Sequence, residues 1–104
     1  MKAIEHFLEV VSKDEFVEGH EVLEEEWKRL KHTPMFENEA KILKGLINAS
    51  TALALACKGK KEGAIRVWQT YEKYAPLIQI TPSESQALYQ KAQKLLAQKY
   101  TLYM

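Results

Sequence analysis

The chain has 104 residues, of which 46% are hydrophobic, and a formal net charge of +1. That is enough apolar material to bury one core without staples, which excludes disorder, and the near-neutral balance disfavours nucleic acid as a partner. A lone cysteine, Cys57, excludes an intramolecular disulfide and a cysteine zinc cluster, and fits a reducing cytoplasm.

No repeat, low-complexity run or linker interrupts the pattern, so residues 1–104 are read as one domain. A first helix spans about Lys2 to Val11, with Ile4, Phe7, Leu8 and Val11 on one face. The chain opens directly on this amphipathic pattern, and no signal peptide is expected. Ser12-Lys-Asp-Glu15 has the form of a capping box, which predicts a second helix from Lys13 to about Lys31. Within it Phe16, His20, Leu23, Trp27 and Leu30 recur at helical spacing and predict the buried stripe. Glu18, Glu25, Lys28 and Arg29 fall on the opposite, solvated face.

Thr33-Pro34 breaks that helix and opens a third, with proline tolerated in the first turn. It reaches about Lys58, where Gly59 supplies the stop. This helix is apolar on most sides and is expected at the centre of the fold. Its run from Ile42 to Cys57 carries Lys44, Gly45 and Asn48, too short and too polar for a membrane span. Gly45, Ala49, Ser50 and Ala52 would let neighbours approach closely. A fourth helix runs from Lys61 to about Ala75, with Ala64, Val67, Trp68, Tyr71 and Ala75 inward, and Pro76 ends or kinks it. Thr81-Pro-Ser-Glu84 reads as a second capping box, starting a fifth helix that runs to about Lys99 with Leu88, Ala92, Leu95 and Leu96 inward. The expected fold class is all-α: an antiparallel up-and-down helical bundle of about five helices.

Charge is unevenly placed. Residues 1–40 hold 11 acids and 5 bases, −6, and residues 41–104 hold 3 acids and 10 bases, +7. Such asymmetry draws opposite faces of a bundle together weakly through water, because exposed ion pairs contribute only ~0–1 kcal/mol each.

The candidate site centres on His20, which occupies a stripe position where an aliphatic residue is expected. Glu24 and Trp27 lie one and two turns away on the same side. Three readings stay open. His20 forms a structural network with Glu24 or with Asn48, the polar residue that interrupts the central helix. Alternatively, His20, Glu21, Glu24, Trp27 and Asn48 form a ligand site. In the third reading Glu24 orients His20 as a general base, or His20 and Glu24 ligate a metal. The metal reading lacks support from spacing, since no second histidine stands four residues after the first and no Glu-x-x-His occurs. The group Lys58, Lys60, Lys61 and Arg66, with Gly59 and Gly63, surrounds a helix start and is a weak anion-site candidate around Lys60, Lys61 and Gly63; a solvated turn is the simpler reading. Cys57 reads as an inert small hydrophobe. The ending Tyr100-Thr-Leu-Tyr-Met104 is apolar for a tail and would cover the bundle or a second protomer.

The stretch Phe16-Val-Glu-Gly-His20-Glu21-Val-Leu-Glu24-Glu-Glu-Trp27 resembles the His-Glu-x-x-Glu-x-x-Trp signature of the family called domain of unknown function 309. The resemblance continues through Gly45-Leu-Ile-Asn48-Ala49 and Gly59-Lys-Lys-Glu-Gly63-Ala64, covering roughly residues 15–75. It implies a small prokaryotic helical-bundle protein with no established activity. Shared positions would be His20, Glu21, Glu24, Trp27, Gly45, Gly59, Gly63 and Ala64. The chain departs from the family pattern at Lys44, where glutamine is common, and at Lys60, where asparagine is common. It also has Leu55 in place of an expected histidine, which removes a second imidazole.

These features point to a small cytoplasmic binding or interaction module, self-associating as a homo-oligomer, with an unidentified small-molecule ligand at the His20 cluster. The alternative is a metal-assisted or acid–base enzyme acting at the same residues. No cofactor motif is read, and no membrane partner is expected.

Overall fold

The computed structural model describes residues 2–104. Five long helices account for most of them: α1 (Lys2–Ser12), α2 (Phe16–Lys31), α3 (Glu37–Cys57), α4 (Lys61–Tyr74) and α6 (Gln86–Tyr103). A 3-10 turn, Pro34–Phe36, leads into α3, and a single α-turn, α5 (Leu77–Ile80), separates α4 from α6. Successive long helices pack on one another through α4, and α6 closes the bundle against α1 and α3.

The central position of α3 follows from its composition. It buries Ile42, Leu43, Leu46, Ile47, Ala49, Ala52 and Leu53, around most of its circumference. The stretch Pro34–Cys57 is long and apolar enough to cross a membrane by length and composition, yet most of it is buried inside the bundle. Its small residues set how closely neighbours come. A Cβ built on Gly45 would lie 3.1 Å from Tyr74 Cβ, so α4 crosses α3 there closely enough that even a methyl group would press on its neighbour.

The crossing between α2 and α3 is also close at a glycine, and it corrects the expected stripe. The buried residues of α2 are Phe16, Gly19, Leu23 and Leu30, whereas His20 is half-buried and Trp27 packs against the core only in part. The buried position between Phe16 and Leu23 therefore belongs to Gly19. A Cβ on Gly19 would meet Ser50 Oγ at 2.4 Å and Val11 Cγ2 at 3.1 Å. The fully buried Ser50 hydroxyl donates to the Phe16 carbonyl at 2.6 Å, so the polar link across the α2–α3 contact is Ser50 to backbone.

Both expected capping boxes turn out differently. Ser12 is the last residue of α1, and its hydroxyl donates back to the Glu9 carbonyl. Asp14, at φ +63°, ends the helix, with Glu15 N–H on the Val10 carbonyl and Asp14 N–H on that of Val11. This is a Schellman turn, with aspartate in the left-handed position where glycine is usual. Gly59, at φ +78°, closes α3 by the same pattern, as its sequence position predicts. Thr81 does not open α6; its N–H closes α5 on the Leu77 carbonyl, and α6 begins four residues later than expected, at Gln86. The Gln86 side chain reaches back to the carbonyls of Ile78 and Gln79, capping α5.

The C-terminal segment is helical and serves the bundle. Tyr100 packs on Trp68 with ring centroids 4.6 Å apart, and Tyr103 meets Phe16 edge-on at 5.5 Å. Lys99 and the Tyr103 hydroxyl both bind the Asp14 carboxylate at 2.6 Å, tying the end of α6 to the α1–α2 turn. These two partners hold the Asp14 carboxyl below its ordinary range, the Lys99 hydrogen bond first and the Tyr103 bond second. Cys57, the last residue of α3, is exposed.

Candidate functional site

The α2 face brings only part of its predicted set together. His20 Nε2 and Glu24 Oε2 stand 3.9 Å apart across one helical turn, with side chains 41% and 38% exposed. That separation is too long for a hydrogen bond and too exposed for a strong ion pair. Glu24 also faces Lys28 at 3.5 Å. Glu21 is exposed, and Lys31 lies 4.4 Å from the Trp27 ring centre, a cation–π contact. Asn48 does not join this group by hydrogen bonding: its amide donates to the Lys44 carbonyl of its own helix at 2.7 Å. The position four residues along the same face explains why Asn48 satisfies itself locally. Among the described residues no group of three or more histidine, cysteine or carboxylate side chains is placed to hold a metal.

The weak anion candidate is similarly open. Lys60 and Lys61 are exposed, and Gly63 has only Leu55 Cδ1 near its open side, at 3.8 Å. Lys60 is the cap residue of α4 and makes no side-chain capping bond.

A second polar cluster is built quite differently. Glu39, in the first turn of α3, accepts hydrogen bonds at Oε1 from the Tyr89 hydroxyl at 2.6 Å and from Ser83 Oγ at 2.7 Å. Ser83 Oγ in turn accepts the Ser85 N–H at 3.0 Å. Tyr89 is fully buried and Ser85 nearly so. Burial, and then the Glu39 carboxylate that takes its hydrogen bond, push the Tyr89 phenol far above its ordinary range, so it stays a neutral donor. The carboxylate is thus fixed from α6 and from the α5–α6 corner, across 50 and 44 residues of chain.

Glu39 lines an open cleft of about 1020 Å³ between two corners of the bundle. One wall is the α2–α3 corner, with Leu30, Pro34, Met35 and Phe36; the other is Thr81–Ser85. Lys2 of α1 and the ion pair Glu26–Arg29 of α2 complete it. Thr81 is nine-tenths buried in this wall, and its hydroxyl has no hydrogen-bond partner among the described residues. A buried hydroxyl without a partner is uncommon and costly, on the order of 1–3 kcal/mol. Sequence reading found none of this. Glu39 looks like an ordinary first-turn acid, and Thr81, Ser83 and Ser85 look like capping residues.

Known proteins add one fact. The profile of the family described as Domain of unknown function (DUF309) matches residues 4–67, more than half of the chain. The chain belongs to the DUF309 family. No curated protein and no solved structure matches it. The DUF309 match covers α1 to α3 and the first half of α4, and so includes His20, Glu24, Trp27, Glu26, Arg29 and Glu39. The Thr81–Ser85 wall and Tyr89 lie beyond it. The cleft is therefore half DUF309 region and half the α5–α6 segment that follows.

Proposed function

We propose that this protein is a small binding module whose recognition site is the cleft beside Glu39, with the α2 signature face as a secondary surface. The observation that carries this reading is the fixed carboxylate: Glu39 is held by two donors from a distant part of the chain at the wall of a ligand-sized cleft. Ligand sites generally pair apolar walls with a few polar groups held in place, and cavities of roughly 300–1,000 Å³ are typical. By contrast, His20 and Glu24 share one exposed helical turn and do not line this cleft. A metal there would have two protein ligands, short of the three that a catalytic zinc takes.

Self-association belongs to the same proposal. Leu102, on the last turn of α6, is 70% exposed and would contribute to a contact between copies. Light scattering at two concentrations tests it, a constant monomer mass being the contrary result.

The test of the cleft reading is an amide-shift map of the wild-type protein against a fragment set of cationic, anionic and neutral compounds. Shifts gathering at residues 35–39 and 81–85 support the cleft. Shifts gathering at His20 and Trp27, or none at all, contradict it.

A further inference from the structure

We propose that the cleft accepts a protonated amine or guanidinium carried on a short apolar stem, with Glu39 as its counter-ion. This rests on the reading of the cleft as the recognition site. Three features of the same cavity converge on it.

The first is charge. Glu26, Glu37, Glu39 and Glu84 line the cleft against two cations, Lys2 and Arg29. Arg29 is already bound to Glu26, so it offers an incoming anion little. An anion would meet an acidic wall, and a cation would be drawn in.

The second is the pairing of acceptors. Both hydrogen bonds that fix Glu39 fall on Oε1, which leaves Oε2 as the acceptor for a ligand. Thr81 lines the same cleft with its unpartnered, buried hydroxyl. An ammonium has three donors and no acceptor, and a guanidinium five. A carboxylate and a hydroxyl on residues lining one cleft are the acceptor types such a group needs. A carboxylate or phosphate ligand would leave Glu39 facing a like charge.

The third is the lip. Met35, 84% exposed, and Phe36 stand at the cleft edge with Leu30 and Pro34. Long cationic side chains lay their methylenes along apolar surface while the charged head finds a partner. The chemistry is common to a free alkylamine and to a lysine or arginine side chain of a peptide.

The test is an NMR titration of the full chain with n-butylamine, N-acetyl-lysine methylamide, n-butanol and acetate. Both amines are expected to shift amides at residues 37–39 and 81–85, with butanol and acetate without effect there. Glu39→Gln should weaken amine binding at least tenfold, and Thr81→Val by a smaller factor in a protein that keeps Glu39 intact. Raising salt should weaken both amines, as for any partly exposed ion pair. Tighter binding of the capped lysine than of butylamine assigns the site to protein side chains, and equal binding assigns it to free amines; either supports the inference. Acetate or butanol shifting these amides while the amines do not would overturn it and leave the cleft reading standing. No shift in the cleft with any probe would sink both. Amine binding unchanged in both Glu39→Gln and Thr81→Val would place the cation elsewhere and overturn the inference.

Discussion

Glu24 and Glu39 are both glutamates near a helical partner, and the molecule treats them in opposite ways. Glu24 meets His20 within one turn of α2, at 3.9 Å and more than a third exposed. Glu39 meets Tyr89 from 50 residues away, at 2.6 Å, on a fully buried ring. The first contact exists because helical spacing puts i and i+4 side by side, whatever the tertiary fold does. The second exists only because α3, the α5–α6 corner and α6 are folded together. A local pair can be read in sequence and is energetically slight; a long-range one is silent in sequence and is where specific structure is stored.

The largest effect expected from breaking this contrast is at Tyr89. Tyr89→Phe keeps the ring and removes one donor to a carboxylate, a bond worth about 1.5–3 kcal/mol when an ionised group accepts it. The melting temperature should fall by roughly 6–12 °C at about 4 °C per kcal/mol. A melt within two degrees of wild type would show that Glu39 is not held from α6.

Gly19→Ala comes next. The new Cβ must displace Ser50, whose hydroxyl is bonded to Phe16, so α2 has to move off α3. Overpacking of this kind costs about 1–3 kcal/mol, offset by up to ~1 kcal/mol of helix propensity gained over glycine. The net expectation is a melt several degrees lower. Ser50→Ala in the same chain should restore part of that loss, and additivity of the two changes would argue against the crossing described.

Solution pH separates buried from exposed partners more gently. Burial raises the Tyr71 phenol from 10.0 to about 12, and Tyr89 shifts in the same direction. A phenol with a raised folded-state pKa contributes stability that is complete below pH 10 and is lost as pH rises through the folded value. Chemical denaturation should therefore show stability falling between about pH 10 and 12, more shallowly in Tyr71→Phe. Asp14 runs the other way. Its lowered pKa contributes stability above the ordinary value of 3.8, lost as pH falls through the folded one. The acid limb should flatten in Asp14→Asn, and an unchanged limb would mean that Lys99 and Tyr103 do not act on it.

The smallest effect is expected at His20. His20→Ala removes a half-exposed ring with one distant partner, and should change stability by no more than ~0.5 kcal/mol.

The same contrast explains what was legible beforehand. Periodicity placed five long helices, and Pro34, Gly59 and Pro76 marked boundaries that hold to within a few residues. The inward faces of α1 and α4 also follow the pattern. The α2 stripe differs at one position because glycine carries no apolar side chain to count, so Gly19 takes the buried place where periodicity predicts His20. The two capping boxes failed because a serine or threonine three residues before a glutamate is compatible with other turns. In one, Asp14 adopts a left-handed conformation that ends α1; in the other, Thr81 finishes α5. Nothing in sequence joins Glu39 to Tyr89, since neither breaks its local pattern and the bond depends on the whole bundle being assembled.

Paired double-mutant cycles measure the two contacts on one scale: Glu39→Gln with Tyr89→Phe, and His20→Ala with Glu24→Gln, each followed by urea denaturation. A coupling above about 1 kcal/mol is expected for the first pair and below ~0.5 kcal/mol for the second. Equal couplings, or a larger one for His20 and Glu24, would contradict this and return the candidate site to α2.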